Sequence, residues 1–446
     1  MGPELDRAQP HRRIEPALAV LFVVLKLLVL RGTWGRAQGF DAPHWLTVLR
    51  ATHWFEPLPL PRALIASYHP PLSYLMERIV LLAVPNEVEA SQLLSTLCIL
   101  GAFLSLRWSL RHIGWLATLP GLILLYGGFS IPLLVWLAIE TGYDGPVFFW
   151  FMLALAQSIA LFWQPTPDKW WRDAKYSFAV TLLGLTLAAG MLTKFNSLIA
   201  FGLPFLIVLV RRGIKTWRCD IAASLFAVVV GVIVIMPLYS HRYLSADGHR
   251  EPAAMDWQRP LDLAAARAVR DAAPIRMLTN VLRIPSRSIT ESQYPVVDSF
   301  FNSIWLHTWK RDGCLGFQPE PSIRVSNFYI VAFPLLLAGG TAWFMVRQRR
   351  IAKDWRHLGW VAFWVGVVFC ASAIAFAWNY PLWDWRVFKG KYITPAVFWI
   401  AYATGVIFSD AWLEKWQHAG WCKWTERAAL LVLVAFMLVN HGFPVY

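Results

Sequence analysis

Charge is what this sequence has least of. Only 15% of its 446 residues are Asp, Glu, Lys or Arg, where a soluble domain carries roughly 25%. That shortfall excludes a large soluble domain. Cysteine is also scarce, at five residues: Cys98, Cys219, Cys314, Cys370 and Cys422. No two have metal-site spacing, and Cys314, alone in a long polar loop, has no evident disulfide partner there. No Asn-x-Ser/Thr sequon, zinc-finger or RNA-binding motif, internal repeat or low-complexity tract occurs. The basic run His11-Arg12-Arg13 precedes an apolar stretch without a convincing small-residue cleavage site, so that stretch reads as a retained first membrane helix. What fills the chain instead is apolar: 57% hydrophobic residues with 26 Trp and a mean hydropathy of +0.47. Indoles favour the membrane–water boundary.

A bilayer crossing takes about 20 mainly apolar residues, and such stretches recur from end to end. Spans are expected near residues 16–30, 90–106, 115–129, 146–163, 178–193, 198–210, 221–239, 328–346, 358–378, 393–408 and 428–439, about eleven in all. The apolar segment 72–84 is short, and is either re-entrant or interfacial. Another short piece, 131–138, lies between two spans. The fold class is therefore all-α: a polytopic transmembrane helical bundle forming one integral membrane domain over 1–446. The net charge of +14 fits this class better than nucleic-acid binding. With the N-terminus in the cytoplasm, every short loop on that side is basic: Arg107 and Arg111; Lys169, Arg172 and Lys175; Arg211, Arg212, Lys215 and Arg218; Arg347, Arg349, Arg350, Lys353 and Arg356; Lys415, Lys423 and Arg427. The outer face then receives a first loop over about 32–90 and a large loop over about 241–325. Within the large loop, Leu261–Arg270 reads equally as a surface-lying amphipathic helix or as a soluble loop helix.

This topology sends a set of ionisable residues to one face. Asp41 follows the first span, Glu140 and Asp144 precede the fourth, and Lys194 ends the fifth. His241 and Arg242 end the seventh, and Asp384, Arg386, Lys389 and Lys391 lie between late spans. Ionisable groups near membrane depth usually line a cavity, so this set suggests a shared site with one or two carboxylates and cations placed for an anionic ligand. Each has a plainer reading beside it. Asp41 opens Asp41-Ala42-Pro43-His44 and serves equally as a helix cap. Glu140 and Asp144, four apart, share a face if helical or simply solvate a loop. Lys194 either binds or snorkels. His69 before Pro70-Pro71 marks an extended turn. Arg386 and Lys391 run against the inside rule, which favours a role beyond topology.

In order, these pieces are a first helix, Asp41 near His44, Tyr68-His69-Pro70-Pro71-Leu72-Ser73-Tyr74, Glu140 to Asp144, Thr193-Lys194-Phe195, and Lys389-Gly390-Lys391-Tyr392-Ile393-Thr394-Pro395. That order resembles the GT-C superfamily of membrane glycosyltransferases, in the bacterial branch similar to protein O-mannosyltransferases and aminoarabinose transferases. The resemblance implies a sugar donor carried on a polyprenyl phosphate and an active site on the outer face. It implies Asp41 as general base, with Asp144 as second acid and Glu140 its competitor. It also implies Lys194 as a donor-phosphate ligand and Lys391-Tyr392 in the place of a late Arg-Tyr pattern. His44, His69, His241, Arg242, Arg386, Lys391 and Tyr392 complete the expected substrate-binding set. The first loop departs from the family, since Asp41 is followed by Ala42 where an acidic pair is common.

Direct displacement at one centre would invert the anomeric configuration, with Asp41 taking the acceptor proton and the cations stabilising the lipid-phosphate leaving group. No cofactor is expected, although Asp41 with Asp144 would suit a divalent metal as in some relatives. The expected partners are the lipid donor, the bilayer and an acceptor of unknown class, with no nucleic acid. The expected location is a bacterial inner membrane, with the site facing the periplasm. The rival reading is a polytopic transporter or flippase for a lipid-linked or anionic substrate; such proteins place their sites near the midplane in repeated halves. A non-catalytic scaffold in envelope assembly is a third.

Overall fold

The computed structural model describes residues 13–39, 42–53, 70–116, 118–211, 217–243, 267–268, 271–275, 304–305, 308–309, 320–349, 351, 353–379, 394–407 and 421–442. Among them the chain is helical throughout, without a strand, as the hydropathy pattern requires. Eight helices are long and apolar enough to cross a membrane. They are α1 (Glu15–Thr33), α4 (Glu87–His112), α7 (Asp144–Phe162), α8 (Ala174–Thr193), α10 (Trp217–Tyr243), α11 (Glu320–Arg347), α12 (Lys353–Asn379) and α14 (Trp421–Gly442). Between them lie α2 (Ala42–Arg50), α3 (Leu72–Leu81), α5 (Leu119–Leu122), α6 (Pro132–Leu137), α9 (Leu203–Val210) and α13 (Val397–Val406).

Local chemistry explains several helix starts. The Asn86 side chain accepts from the Val88 and Glu89 amides at the head of α4, and Asp173 does the same for Lys175 and Tyr176 at α8. Both satisfy amides that a helix N-terminus leaves without partners.

Three expected spans are not long helices. The segment expected at 115–129 is α5 running into a π-helical turn, Ile123–Gly127, which then breaks before Pro132 opens α6. Pro120, Gly121, Gly127, Gly128 and Pro132 explain the interruptions, because Pro lacks the helical donor and Gly weakens the helix. The segment expected at 198–210 is a 3₁₀ stretch, Phe195–Gly202, followed by α9. Within the segment expected at 393–408, the described residues form a 3₁₀ turn over 394–396 followed by the short α13. The run from Tyr126 to Thr141 follows α1 from one end to the other: Tyr126 bonds Glu15 at the start of α1, and Thr141 bonds Gln38 beyond its end. Arg211, just after α9, donates to the Phe162 carbonyl at the end of α7. Tyr402 donates to the Trp355 carbonyl near the start of α12.

The broken pass is secured from α1. Lys26, midway along that helix, is fully buried, and its Nζ lies 3.2 Å from the carbonyls of both Phe129 and Leu134. Those carbonyls flank the break, and backbone polar groups at membrane depth must find a partner inside the protein. At the start of α1 Arg107 grips the Glu15 carboxylate with two bonds, of 2.8 and 2.9 Å, and Tyr126 adds a third at 2.8 Å. A core of aromatic rings, Phe22, Phe103, Phe129, Phe148 and Phe398, fills the space between. The short segment expected at 72–84 is α3, laid against α4.

Candidate functional site

The start of α4, the start of α7 and the end of α8 meet where the sequence places Glu140, Asp144 and Lys194. Asp144 begins α7 and Lys194 follows the last residue of α8. Their side chains pair at 2.8 Å, both over nine-tenths buried. The lysine has not snorkelled; its ammonium also stands 4.2 Å from the centroid of the Tyr143 ring. A buried charge is tolerated only with partners of this kind.

Glu140 lies four residues before Asp144 and is buried. The turn that carries it is pinned to α4, because Ser95 Oγ donates to the Glu140 carbonyl at 2.7 Å and Thr96 to that of Ala138 at 2.6 Å. Close approach of α7 to α4 requires Gly145, where an added Cβ would lie 3.2 Å from the Ser95 Cα. The segment after α1 then comes down on the same turn. The Thr141 amide donates to the Gln38 carbonyl at 2.8 Å, and the Gln38 amide to Thr141 Oγ1 at 3.3 Å. Gly39, at φ +113°, presents its bare backbone to the Glu140 side chain; a Cβ there would sit 3.2 Å from Glu140 Cγ. Gln92 of α4 holds the loop's beginning through the Thr33 and Arg36 carbonyls and the Gly35 amide.

Asp41 lies outside the described residues, as do His69, Arg386, Lys391 and Tyr392. The residues flanking Asp41 are tied to each other, with the Ala42 amide 3.3 Å from the Gly39 carbonyl. His44 is exposed on α2. His241 and Arg242 close the last turn of α10, and their side chains lie outside the description. That end of α10 reaches the lysine's neighbours: Tyr239 donates to the Met191 carbonyl at 2.9 Å and meets the Phe195 ring edge-on at 5.2 Å. The structure thus brings Glu140, Asp144 and Lys194 to one place. Among the described residues no three His, Cys, Asp or Glu side chains gather as a metal site.

Four residues now belong to the site's surroundings that the sequence reading did not select. Tyr143 lies beneath the lysine. Trp45 and Tyr74 stack at 4.1 Å, and Trp45 tilts against Tyr143 at 5.5 Å. Glu77 of α3 accepts the Trp45 indole N–H at 2.6 Å and is fully buried. A single acid inside the apolar run 72–84 was the available signal for Glu77. Trp45 and Tyr143 had none, since a ring beside a helix end is ordinary in a membrane protein, and Tyr74 stood only as the last residue of the run Tyr68–Tyr74.

Four residues after Lys194 a groove of about 850 Å³ begins between the 3₁₀–α9 segment and α12. Its walls are apolar, with Leu198, Ile199, Leu206, Trp360, Trp364 and Val368 among them.

No known family and no curated protein matches the sequence. Among solved structures the chain is similar to the Archaeoglobus fulgidus oligosaccharyltransferase, both in complex with Zn and sulfate (13% identity, TM-score 0.44, 96% of this chain and 53% of that one) and in the apo form (12%, 0.47, 98% and 56%). It is also similar to ArnT from Cupriavidus metallidurans bound to undecaprenyl phosphate (15%, 0.37, 87% and 76%). The chain spans about half the length of the oligosaccharyltransferase.

Proposed function

We propose that this protein is an integral membrane glycosyltransferase that moves a sugar from a polyprenyl-phosphate donor to an acceptor at its outer face. The observation that carries the reading is the buried Asp144–Lys194 pair beside Glu140, at the point where the first outer loop is fastened. Sugar transfer from a lipid phosphate needs a carboxylate to take the acceptor proton and a cation to meet the charge growing on the leaving phosphate. Lys194 supplies the cation. Asp41, two residues beyond Gly39, is the base, and attack on the anomeric carbon from the side opposite the phosphate inverts its configuration. Asp144 holds the Lys194 ammonium in position, and Glu140 orients the sugar or the acceptor hydroxyl. The apolar groove that opens beyond Lys194 suits an isoprenoid chain entering from the bilayer. Positive loops on the opposite face agree with a site facing the periplasm of a bacterial inner membrane.

The test is release of label from a panel of radiolabelled polyprenyl-phosphate sugars in membranes containing wild type, Asp41→Asn or Lys194→Gln. The expected result is turnover by wild type, with losses of about 10²–10⁴-fold for Asp41→Asn and about 10²-fold or more for Lys194→Gln. Equal turnover by wild type and Asp41→Asn transfers the base to Glu140 or Asp144. Binding of the lipid phosphate without any turnover supports the transporter or flippase reading instead.

A further inference from the structure

A carboxyl group with no water around it sits one layer behind the site. Glu77 is at 0% exposure, flanked by Ser73 and Ser91, which are equally buried. It lies on α3, a ten-residue helix outside the spanning set. It faces α2, the helix that begins immediately after Asp41, and its Oε2 receives the Trp45 indole N–H at 2.6 Å. Trp45 passes the contact on: its ring stacks on Tyr74 and leans on Tyr143, and Tyr143 bears the ammonium that Asp144 holds. The line from Glu77 to Lys194 is thus unbroken.

We propose that Glu77 is a positioning residue: through the Trp45 indole it sets both the helix that follows Asp41 and the aromatic stack under Lys194. The proposal rests on the glycosyltransferase reading and adds to it which residue behind the site governs its geometry.

Glu77 acts in its neutral form. The charged groups around it are already committed. Arg78, its neighbour on α3, donates to the Leu49 and Thr52 carbonyls at the end of α2. Arg50 of α2 pairs with Glu87 of α4 at 2.8 Å. From α8 the facing charge is Lys194, occupied by Asp144 and screened by Tyr143. Glu87 is the charge on α4 that acts on Glu77, and it opposes ionisation. Burial pushes the Glu77 carboxyl up to about 8, against the pull of the Trp45 hydrogen bond. Below that pH the acid is uncharged and its oxygen accepts the indole proton at no charge penalty. Above it a carboxylate forms without a cation of its own, and α2 must shift to admit water.

The experiment uses the full-length protein in membranes, with label release from a polyprenyl-phosphate sugar followed from about pH 6 to pH 9. Glu77→Gln keeps the acceptor and cannot ionise. It is expected to turn over within about twofold of wild type near neutral pH, and to lack the alkaline fall expected of wild type near pH 8. Trp45→Phe keeps the ring and removes the donor, and should lower kcat by about tenfold with little change in KM, as misplacement of reacting groups does. Infrared spectra read the link without any turnover: wild type should show a buried carboxylic-acid band that fades above pH 8 and is missing in Glu77→Gln. An unchanged alkaline limb in Glu77→Gln, or full activity in Trp45→Phe, overturns the positioning role. Wild type that releases label from no donor overturns the glycosyltransferase reading, and then the infrared titration alone decides the Glu77–Trp45 link: a titrating band upholds it and a missing band removes it.

Discussion

Replacing Lys194 by Met tests whether the site is built around a mutually dependent pair. The substitution conserves length and removes the charge, leaving the Asp144 carboxylate in surroundings where it is 6% exposed. Breaking a buried pair from one side costs about 3–5 kcal/mol, because the remaining charge loses its partner. Loss of the ammonium from the Tyr143 ring, 4.2 Å away, adds up to about 2 kcal/mol. The double substitution Asp144→Asn with Lys194→Met leaves neither charge. It should recover most of the first loss, giving a coupling energy of at least about 1.5 kcal/mol. Free energies from reversible unfolding in mixed micelles, for wild type, both single variants and the double, close the cycle. Turnover measured on the same four proteins should separate from stability: the double variant folds yet stays inactive, since Lys194 is also the proposed phosphate ligand. A coupling below about 0.5 kcal/mol, or activity restored together with stability, would refute the reasoning.

Three further outcomes follow from particular contacts. Gly39→Ala puts a Cβ at φ +113° and 3.2 Å from Glu140 Cγ, so it should cost about 1–3 kcal/mol and lower turnover, read by unfolding and label release. Lys26→Met leaves the Phe129 and Leu134 carbonyls without their donor and should lower unfolding free energy by about 1–3 kcal/mol per carbonyl; an unchanged value would show that Lys26 does not hold the broken pass. Glu77 has a stability signature of its own. Its folded-state carboxyl titrates near 8 and the ordinary one near 4.5, so between those values the folded protein binds the extra proton. Wild-type stability should therefore fall as pH rises from about 5 to 8, by up to about 1.4 kcal/mol per unit, and the fall should be shallower in Glu77→Gln.

Much of the bundle was legible because apolar length is a strong signal. The eight long helices match expected spans, and the polar residues at 140, 144 and 194 were selected because spacing and sidedness alone made them unusual. Broken passes were harder. The runs at 115–129 and 198–210 are as apolar as true spans, and only Pro and Gly inside or beside them hint at interruption. Hydropathy reports the environment of a segment and not its winding. Lys26 was legible but unread: one lysine in the middle of an apolar helix is costly enough to demand a partner. What sequence could not give was that partner, since its two carbonyls belong to residues 103 and 108 positions away and backbone acceptors leave no mark in sequence. Glu77 shows the same limit. The acid is visible in the run 72–84, but its role depends on an indole 32 positions earlier.

That separation of Lys26 from its acceptors has a consequence for biogenesis. The first helix leaves the ribosome more than one hundred residues ahead of the carbonyls that will receive its ammonium. At about 5–20 residues per second this is an interval of roughly 5–20 seconds, during which a lysine at the middle of a span has no acceptor from its own chain. A central lysine costs about 2.5–3.5 kcal/mol on insertion, so the first helix should settle less securely alone than after the broken pass arrives to receive its ammonium. The order in which this protein enters its membrane is written into one side chain.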